Sequence, residues 1–306
     1  MITVLGSINM DLIASVPRLP KPGETVMGDH FVTAPGGKGA NQALAARRAG
    51  ASVCLAGACG EDEFAMPALS YLRSDGVNLD RVRSASTATG VALIFVGGDG
   101  ENEIAIVTGA NGTVSAADAR AALSDMNRGD ILMLQMEVAS ATIEAALIAA
   151  RHKGVTSILN IAPVTADVAR LAAMADIVIA NETEFELFSG KSDMSAEARQ
   201  AEIMRISREN ENNQTIIVTL GAAGVVGVRN GVLHKVSGLA IEPLDTVGAG
   251  DTFCGYLAAG LDQRLAFEVA LHRAAIAGSL ACLKVGAQPS IPLQVDVDRH
   301  FIGKTV

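Results

Sequence analysis

The sequence predicts an α/β fold: a mainly parallel sheet covered by helices on both faces, with a small separate β-sheet inserted into it. Two patterns point there. Most of the chain alternates short β-rich runs with amphipathic helical stretches, and repeated βα alternation implies parallel strands joined by helices that cross the sheet. Residues 9–34 and 88–108 break that rhythm with paired strand signals and no helix between them. Scale agrees, because 306 residues at 49% hydrophobic and 19% charged supply a sizeable core and exclude wholesale disorder.

Residues 2–6 read as the first strand. Met10 to Val16 and Glu24 to Thr33 read as a hairpin around a turn region holding Pro17, Pro20 and Pro22. Lys38 to Arg48 form a helix stopped by Gly50, and Ser52 to Ala58 the next strand. Gly90 to Val96 and Glu103 to Thr108 flank the strong turn signal Gly97-Gly98-Asp99-Gly100. Apolar runs at 131–135, 155–161, 176–180 and 215–220 are strand-like, with helices at 139–152, just before Gly154, and at 195–209. A strand-like segment ends at Leu244, and a helix begins near Asp251 and runs to Leu261. The chain thus divides into a body (1–8, 35–87 and 109–306) and an inserted sheet (9–34 and 88–108). A hairpin sheet with an apolar face seeks cover, as a lid over a site, a dimer contact, or both.

Bulk features narrow the partners. The net charge is −9 and aromatics are 3% with no Trp, which argues against nucleic acid and against a membrane surface. Any phosphate must be held by local devices, and the 31 glycines allow close backbone approach. Cys54, Cys59, Cys254 and Cys282 lie in apolar runs without CxxC spacing and are expected to be buried, reduced thiols. None of the five histidines has HExxH spacing or a Cys neighbour, so all are expected to be structural or surface residues. Met1 leads straight into an apolar strand with no basic segment before it, and no run qualifies as a membrane span, so a cytoplasmic protein is expected.

The sharpest motif is Asp245-Thr246-Val247-Gly248-Ala249-Gly250-Asp251-Thr252-Phe253. Small residues opening a helix leave free N–H groups for an anion, and a carboxylate beside them can take a proton from an attacking hydroxyl. On spacing alone, Asp251 either does this or merely caps the helix. Ala34-Pro35-Gly36-Gly37-Lys38-Gly39-Ala40-Asn41-Gln42 places three glycines around a lysine before a helix, as a polar-ligand loop or a linker. It is not a Walker A loop, because Gly39 follows Lys38 where Ser or Thr is needed. Asn9 and Asp11 follow the first strand, Glu137 follows the strand 131–135, and Asn181-Glu182-Thr183-Glu184 follows another strand and starts a helix. Each alone reads as a cap, a turn or a solvated face. Together they fall at carboxyl ends of strands, where doubly wound folds bind ligands.

In this order the motifs resemble the PfkB-type sugar kinase family over nearly the whole chain. The carriers are Gly6-Ser7-Ile8-Asn9-Met10-Asp11, Gly36-Gly37-Lys38-Gly39-Ala40-Asn41 and 245–253. Gly100-Glu101-Asn102, Leu134-Gln135-Met136-Glu137, Asn181-Glu182-Thr183-Glu184 and Gly286-Ala287-Gln288-Pro289-Ser290 look like the ribokinase branch in particular. The resemblance implies a Rossmann-like α/β body with a β-sheet lid, pairing of lids in a homodimer, and ATP-dependent phosphorylation of D-ribose at O5. A related kinase acting on another sugar or a nucleoside is the alternative, and a non-catalytic sugar- or nucleotide-binding regulator the remote one. A nicotinamide dehydrogenase fails, because no GxGxxG follows the first strand.

Residue by residue, the resemblance makes Asp251 the base and Gly248, Ala249 and Gly250 the anion hole for the γ-phosphate. Asn9, Asp11, Gly37, Lys38, Asn41 and Glu137, with Asp251, match the sugar site, Asp11 gripping two hydroxyls. Asn181, Thr219, Gly221, Gly224 and Gly250 match the nucleotide site, and Glu184 an acidic position that reaches Mg²⁺ through water. Asp245, Val247, Ala281, Lys284, Gly286 and Ser290 match the loop of a K⁺ activator. The sequence departs at Leu271-His272-Arg273-Ala274-Ala275, where many relatives carry Asn, and at Ala222-Ala223, where a more polar pair is common.

Overall fold

A computed structural model describes residues 1–99, 101–209 and 214–302. Its strands are β1 (Ile2–Leu5), β2 (Asn9–Val16), β3 (His30–Gly36), β4 (Val53–Gly60), β5 (Asn78–Ala85), β6 (Gly90–Gly97) and β7 (Asn102–Val107), then β8 (Ile131–Gln135), β9 (Thr156–Asn160), β10 (Ile177–Asn181), β11 (Thr215–Thr219), β12 (Val225–Arg229) and β13 (Val232–Val236). Gly100, which belongs to the predicted 97–100 turn and to one motif, lies outside the described residues.

The main sheet has nine strands in the order β13-β12-β11-β10-β9-β8-β1-β4-β5. The run from β11 to β5 is parallel, and β12 and β13 fold back antiparallel at one edge. Side chains alternate between two cores, as the two-residue period of a strand requires. Ile2, Val4, Ile131 and Met133 pack on one face, beneath the helices Lys38–Arg48, Ala249–Asp262 and Phe267–Ala281. Leu5, Leu132, Leu134 and Val178 pack on the other, with Ile143 and Leu147 of the helix Ser140–Lys153.

The second sheet has the order β3-β2-β6-β7. Each hairpin is antiparallel, while the central pair β2–β6 is parallel, so the two hairpins join through one parallel ladder. It leaves large apolar side chains in solvent, among them Phe31 (62% exposed), Ile104 (54%) and Val107 (53%).

The structure departs from the sequence reading in four places. The strand expected from Glu24 begins only at His30, because Glu24 closes a turn: its N–H donates to the Lys21 carbonyl and its carboxylate accepts from Lys21 N. No strand leads to Leu244: β13 ends at Val236, and the N–H groups of Leu244 and Asp245 donate to the Cys282 carbonyl at a helix end. Strands β5 and β13 carry no strong apolar run and escaped the reading; β12 carries one, Val225-Val226-Gly227-Val228, and was missed behind the Gly221 and Gly224 breaks, although Asn230-Gly231, with φ of 52° and 74°, is a type of turn that favours hairpins. Cys59 and Cys254 are buried, but Cys54 and Cys282 are only half-buried. Burial pushes the Cys59 thiol up to about 11 and raises the other three, so all four stay protonated near neutrality.

Candidate active site

β1 sits between β8 and β4, and the chain runs outward from it in both directions, so the sheet has its switch point there. To one side of that point, a cavity of about 200 Å³ opens at the carboxyl ends of β9, β10 and β11, which finish in Asn160, Asn181 and Thr219. Its lining includes Lys38, Asn181, Glu184, Thr219, Gly248, Gly250 and Asp251, which gathers seven of the predicted residues.

Asp251 stands in the first turn of the helix Ala249–Asp262, and its carboxylate is buried. Asn41 Nδ2 donates to Oδ2 at 3.0 Å, and Gln42 Nε2 donates to Oδ1 at 2.9 Å. Gly248 caps this helix with φ of 76°, and a Cβ there would lie 2.8 Å from Ala287 Cα. Only glycine adopts that turn so close to another backbone. The N–H groups of Gly250 and Asp251 have no acceptor among the described residues and face the positive end of a helix dipole. A carboxylate and free amides at one cavity wall suit the transfer of an anionic group to a hydroxyl.

The glycine–lysine loop meets the end of β1. Gly37, with φ of 90°, opens the helix Lys38–Arg48, and a Cβ there would strike Asn9 N at 2.7 Å. Glu137 is half-buried, not free in solvent: Ser7 Oγ donates to its Oε2, as does Lys38 N at 3.1 Å. Asn111 Nδ2 donates to Asn9 Oδ1 at 2.7 Å, while its Oδ1 accepts from Ile8 N. The Asp11 carboxylate lies against Gly36, whose absent Cβ would be 2.4 Å from it. Burial, then the neighbouring carboxylates Glu137 and Asp251, push Asp11 up to about 7, against the pull of Lys38. Burial alone would lower the Lys38 ammonium, but Asp251, Glu137 and Glu184 outweigh it and raise it, so Lys38 stays charged.

At the end of β10, Asn181 and Glu184 form a capping box: Asn181 Oδ1 accepts from Glu184 N at 2.8 Å, and Glu184 Oε2 accepts from Asn181 N at 2.9 Å. Thr219 ends β11, and Gly221 and Gly224 form the tight turn beyond it, off the cavity lining. Just before Gly248, Asp245 Oδ1 accepts from Val247 N at 3.0 Å and Oδ2 from Gly286 N at 2.7 Å. Lys284 N reaches the Ala281 carbonyl at 3.4 Å, and buried Ser290 Oγ donates to the Ala287 carbonyl. These bonds draw 245–247 and 281–290 into one loop pair next to Gly248.

Five polar residues of this region had no predicted role: Ser7, Gln42, Asn111, Gln135 and Asn160. Ser7, Gln42 and Gln135 stand inside the quoted motifs, so adjacency to a site residue was their signal. Nothing local distinguishes Asn111 or Asn160.

Fold and site together define a phosphotransferase-type α/β protein with a buried carboxylate and unpaired helix N–H groups at one cavity wall, and a polar cluster around Asn9, Asp11 and Glu137. Residues 1–294 match the pfkB family of carbohydrate kinases. The chain is 35% identical to the ribokinase of Haemophilus influenzae over 294 residues, covering 95% of each. It is 33% identical to the deoxyribokinase of Salmonella typhi, covering 95% of each. The structure of Arabidopsis thaliana ribokinase complexed with ribose and ATP superposes with a TM-score of 0.85 at 30% identity, covering 100% of this chain and 99% of that one. This chain belongs to the pfkB family of carbohydrate kinases.

Proposed function

We propose that this protein is an ATP-dependent sugar kinase that phosphorylates D-ribose at O5, giving ribose 5-phosphate and ADP. The observation that carries it is the Asp251 carboxylate held beside the unpaired N–H groups of Gly250 and Asp251. Asp251 takes the proton of the O5 hydroxyl as that oxygen attacks the γ-phosphorus in line, and the unpaired Gly250 and Asp251 amides and the helix dipole carry charge on the transferred group. Asn9, Asp11, Gly37, Lys38, Asn41 and Glu137 hold the sugar. A polyhydroxylated acceptor is favoured by the carboxylates Asp11, Glu137 and Asp251 in this cluster, and a pentose by the ribokinase relatives. The deoxyribokinase relative makes 2-deoxyribose the competing acceptor.

The nucleotide lies along Asn181, Thr219, Gly221 and Gly224. Among the described residues no three His, Cys, Asp or Glu side chains cluster to hold a metal. Glu184 beside a phosphate cavity therefore suits Mg²⁺ bound mainly by phosphate and water, with this carboxylate reaching it through water. Bound there, Mg²⁺ neutralises phosphate charge. In the loop pair 245–290 both oxygens of Asp245 are engaged by N–H groups, which leaves carbonyl oxygens as the donors a K⁺ ion prefers. Asp245, Val247, Ala281, Lys284, Gly286 and Ser290 would hold it, and its charge would firm the anion loop.

The exposed apolar side chains of the small sheet support its role as a lid over the sugar and as the contact of a homodimer. An ATP-consumption assay over pentoses, hexoses and nucleosides, with and without K⁺, tests the assignment. Ribose leading the panel with K⁺ stimulation is the expected outcome, and activity on nucleosides alone would overturn it. Sedimentation of the wild type as a dimer, and of Ile104→Lys as a monomer, is the result expected for the lid contact.

A further inference from the structure

The two oxygens of Asp251 are held in different ways. Oδ2 is held by Asn41, a residue assigned above to the sugar. Oδ1 is held by Gln42, which is fully buried and has only protein around it. Gln42 is itself fixed from behind: Gln135 Nε2, from the last residue of β8, donates to Gln42 Oε1 at 2.7 Å. An amide whose oxygen is engaged must turn its NH₂ the other way, toward Asp251 and toward Asn160 Oδ1 at 3.4 Å. Gln135 is also fully buried, so this amide pair ties the carboxylate to the central sheet without passing through the substrate pocket.

We infer that Gln42 and Gln135 are positioning residues for the phosphoryl transfer: they lock the Asp251 rotamer and keep Oδ1 occupied, so that Oδ2 is the oxygen that receives the acceptor proton. This rests on the reading of Asp251 as the base. An arriving sugar hydroxyl competes with the carboxylate for Asn41 and frees Oδ2, whereas nothing in the pocket can replace Gln42. The proton then passes from the acceptor oxygen to Oδ2. The new O–P bond forms as the bond from the γ-phosphorus to the β,γ-bridging oxygen breaks, and that electron pair leaves on ADP. Simple packing between β8 and the helix Lys38–Arg48 would be met as well by methionine, which matches glutamine in shape and donates nothing.

The test is therefore Gln42→Met, with Gln135→Met as a second variant that never touches Asp251. In Gln42→Met, kcat should fall by about tenfold or more while both KM values stay within about twofold, since a base out of line costs rate and not binding. The acid limb of the kcat profile should move to higher pH, because a carboxylate that loses a donor ionises less readily. Gln135→Met should shift the limb in the same direction by less. A folded Gln42→Met enzyme with wild-type kcat and an unmoved acid limb overturns the inference. A reading independent of turnover is the pH titration of the Asp251 carboxyl carbon by ¹³C NMR, its signal identified by loss in Asp251→Asn. The midpoint should rise in Gln42→Met, and an unchanged midpoint overturns the positioning role. Wild-type protein inactive on every acceptor sinks the proposed kinase activity instead, so the two failures separate.

Discussion

Gly255 and Ala45 set how closely the helix Ala249–Asp262 meets the helix Lys38–Arg48. A Cβ on Gly255 would lie 2.5 Å from Ala45 Cβ and 2.6 Å from the Gln42 carbonyl, closer than atoms approach. One turn back from Gly255 on the same face is Asp251, and one turn back from Ala45 are Asn41 and Gln42. The missing side chain thus brings the carboxylate within hydrogen-bond reach of both amides. Gly255→Ala should force the helices apart. We expect a loss of about 1–3 kcal/mol of stability from overpacking and a fall in kcat on the order of 10²-fold from displacement of Asp251. Denaturant unfolding and steady-state kinetics check the two effects, and wild-type kcat in this variant would show that the helix spacing does not govern the site.

Asp251→Asn keeps the size and one of the two amide contacts, turns an NH₂ toward the other donor, and cannot accept the proton. General-base catalysis contributes roughly 10²–10⁴-fold, so kcat should drop by at least that factor with circular dichroism unchanged. Wild-type-like turnover by the folded variant would falsify the role of Asp251.

The fold was legible where burial is complete. β8, β10 and β11 are buried on both faces and read as unbroken apolar runs, the pattern of a covered parallel strand. β5 was illegible because this edge strand carries Asp80, Arg81 and Arg83, whose polarity hides the alternation. Leu244 misled for the opposite reason: an apolar residue met the pattern, yet its backbone is satisfied by the Cys282 carbonyl, 38 positions along the chain, which no local window can contain. The same limit applies to the site. Asp251 and Lys38 stand in glycine-rich motifs that announce them. Gln135 and Asn160 acquire meaning only through contacts between distant segments.

Asn111 illustrates the cost of such a contact. It is buried, pairs with both backbone groups of Ile8, and donates to Asn9 Oδ1, which fixes which end of the Asn9 amide faces the pocket. Asn111→Leu strands these three polar groups without partners. Each lost buried bond costs about 1–3 kcal/mol, so the variant should unfold at lower denaturant and bind sugar about tenfold or more weakly, with the KM for ATP unchanged. Equal losses of sugar and ATP affinity would instead point to general disorder of the fold.

Asp11 gives the site a pH dependence whose sign follows from its environment. Its value rises from 3.8 to about 7 in the folded protein, chiefly through burial. Between these two values the folded chain holds a proton that the unfolded chain has lost, so Asp11 favours the fold at low pH and this contribution fades as pH rises toward 7. Sugar binding runs the other way. A carboxylate that accepts two hydroxyl protons must be ionised, so below about pH 7 the sugar must first displace the Asp11 proton, and affinity should weaken about tenfold per pH unit. Calorimetric titration of ribose in the absence of ATP should show that slope from about pH 5 to 7, a plateau above it, and release of a proton to buffer on binding. Asp11→Asn should bind sugar more weakly and lose the slope. A sugar affinity independent of pH across that window in the wild type would remove Asp11 from the hydroxyl-binding role.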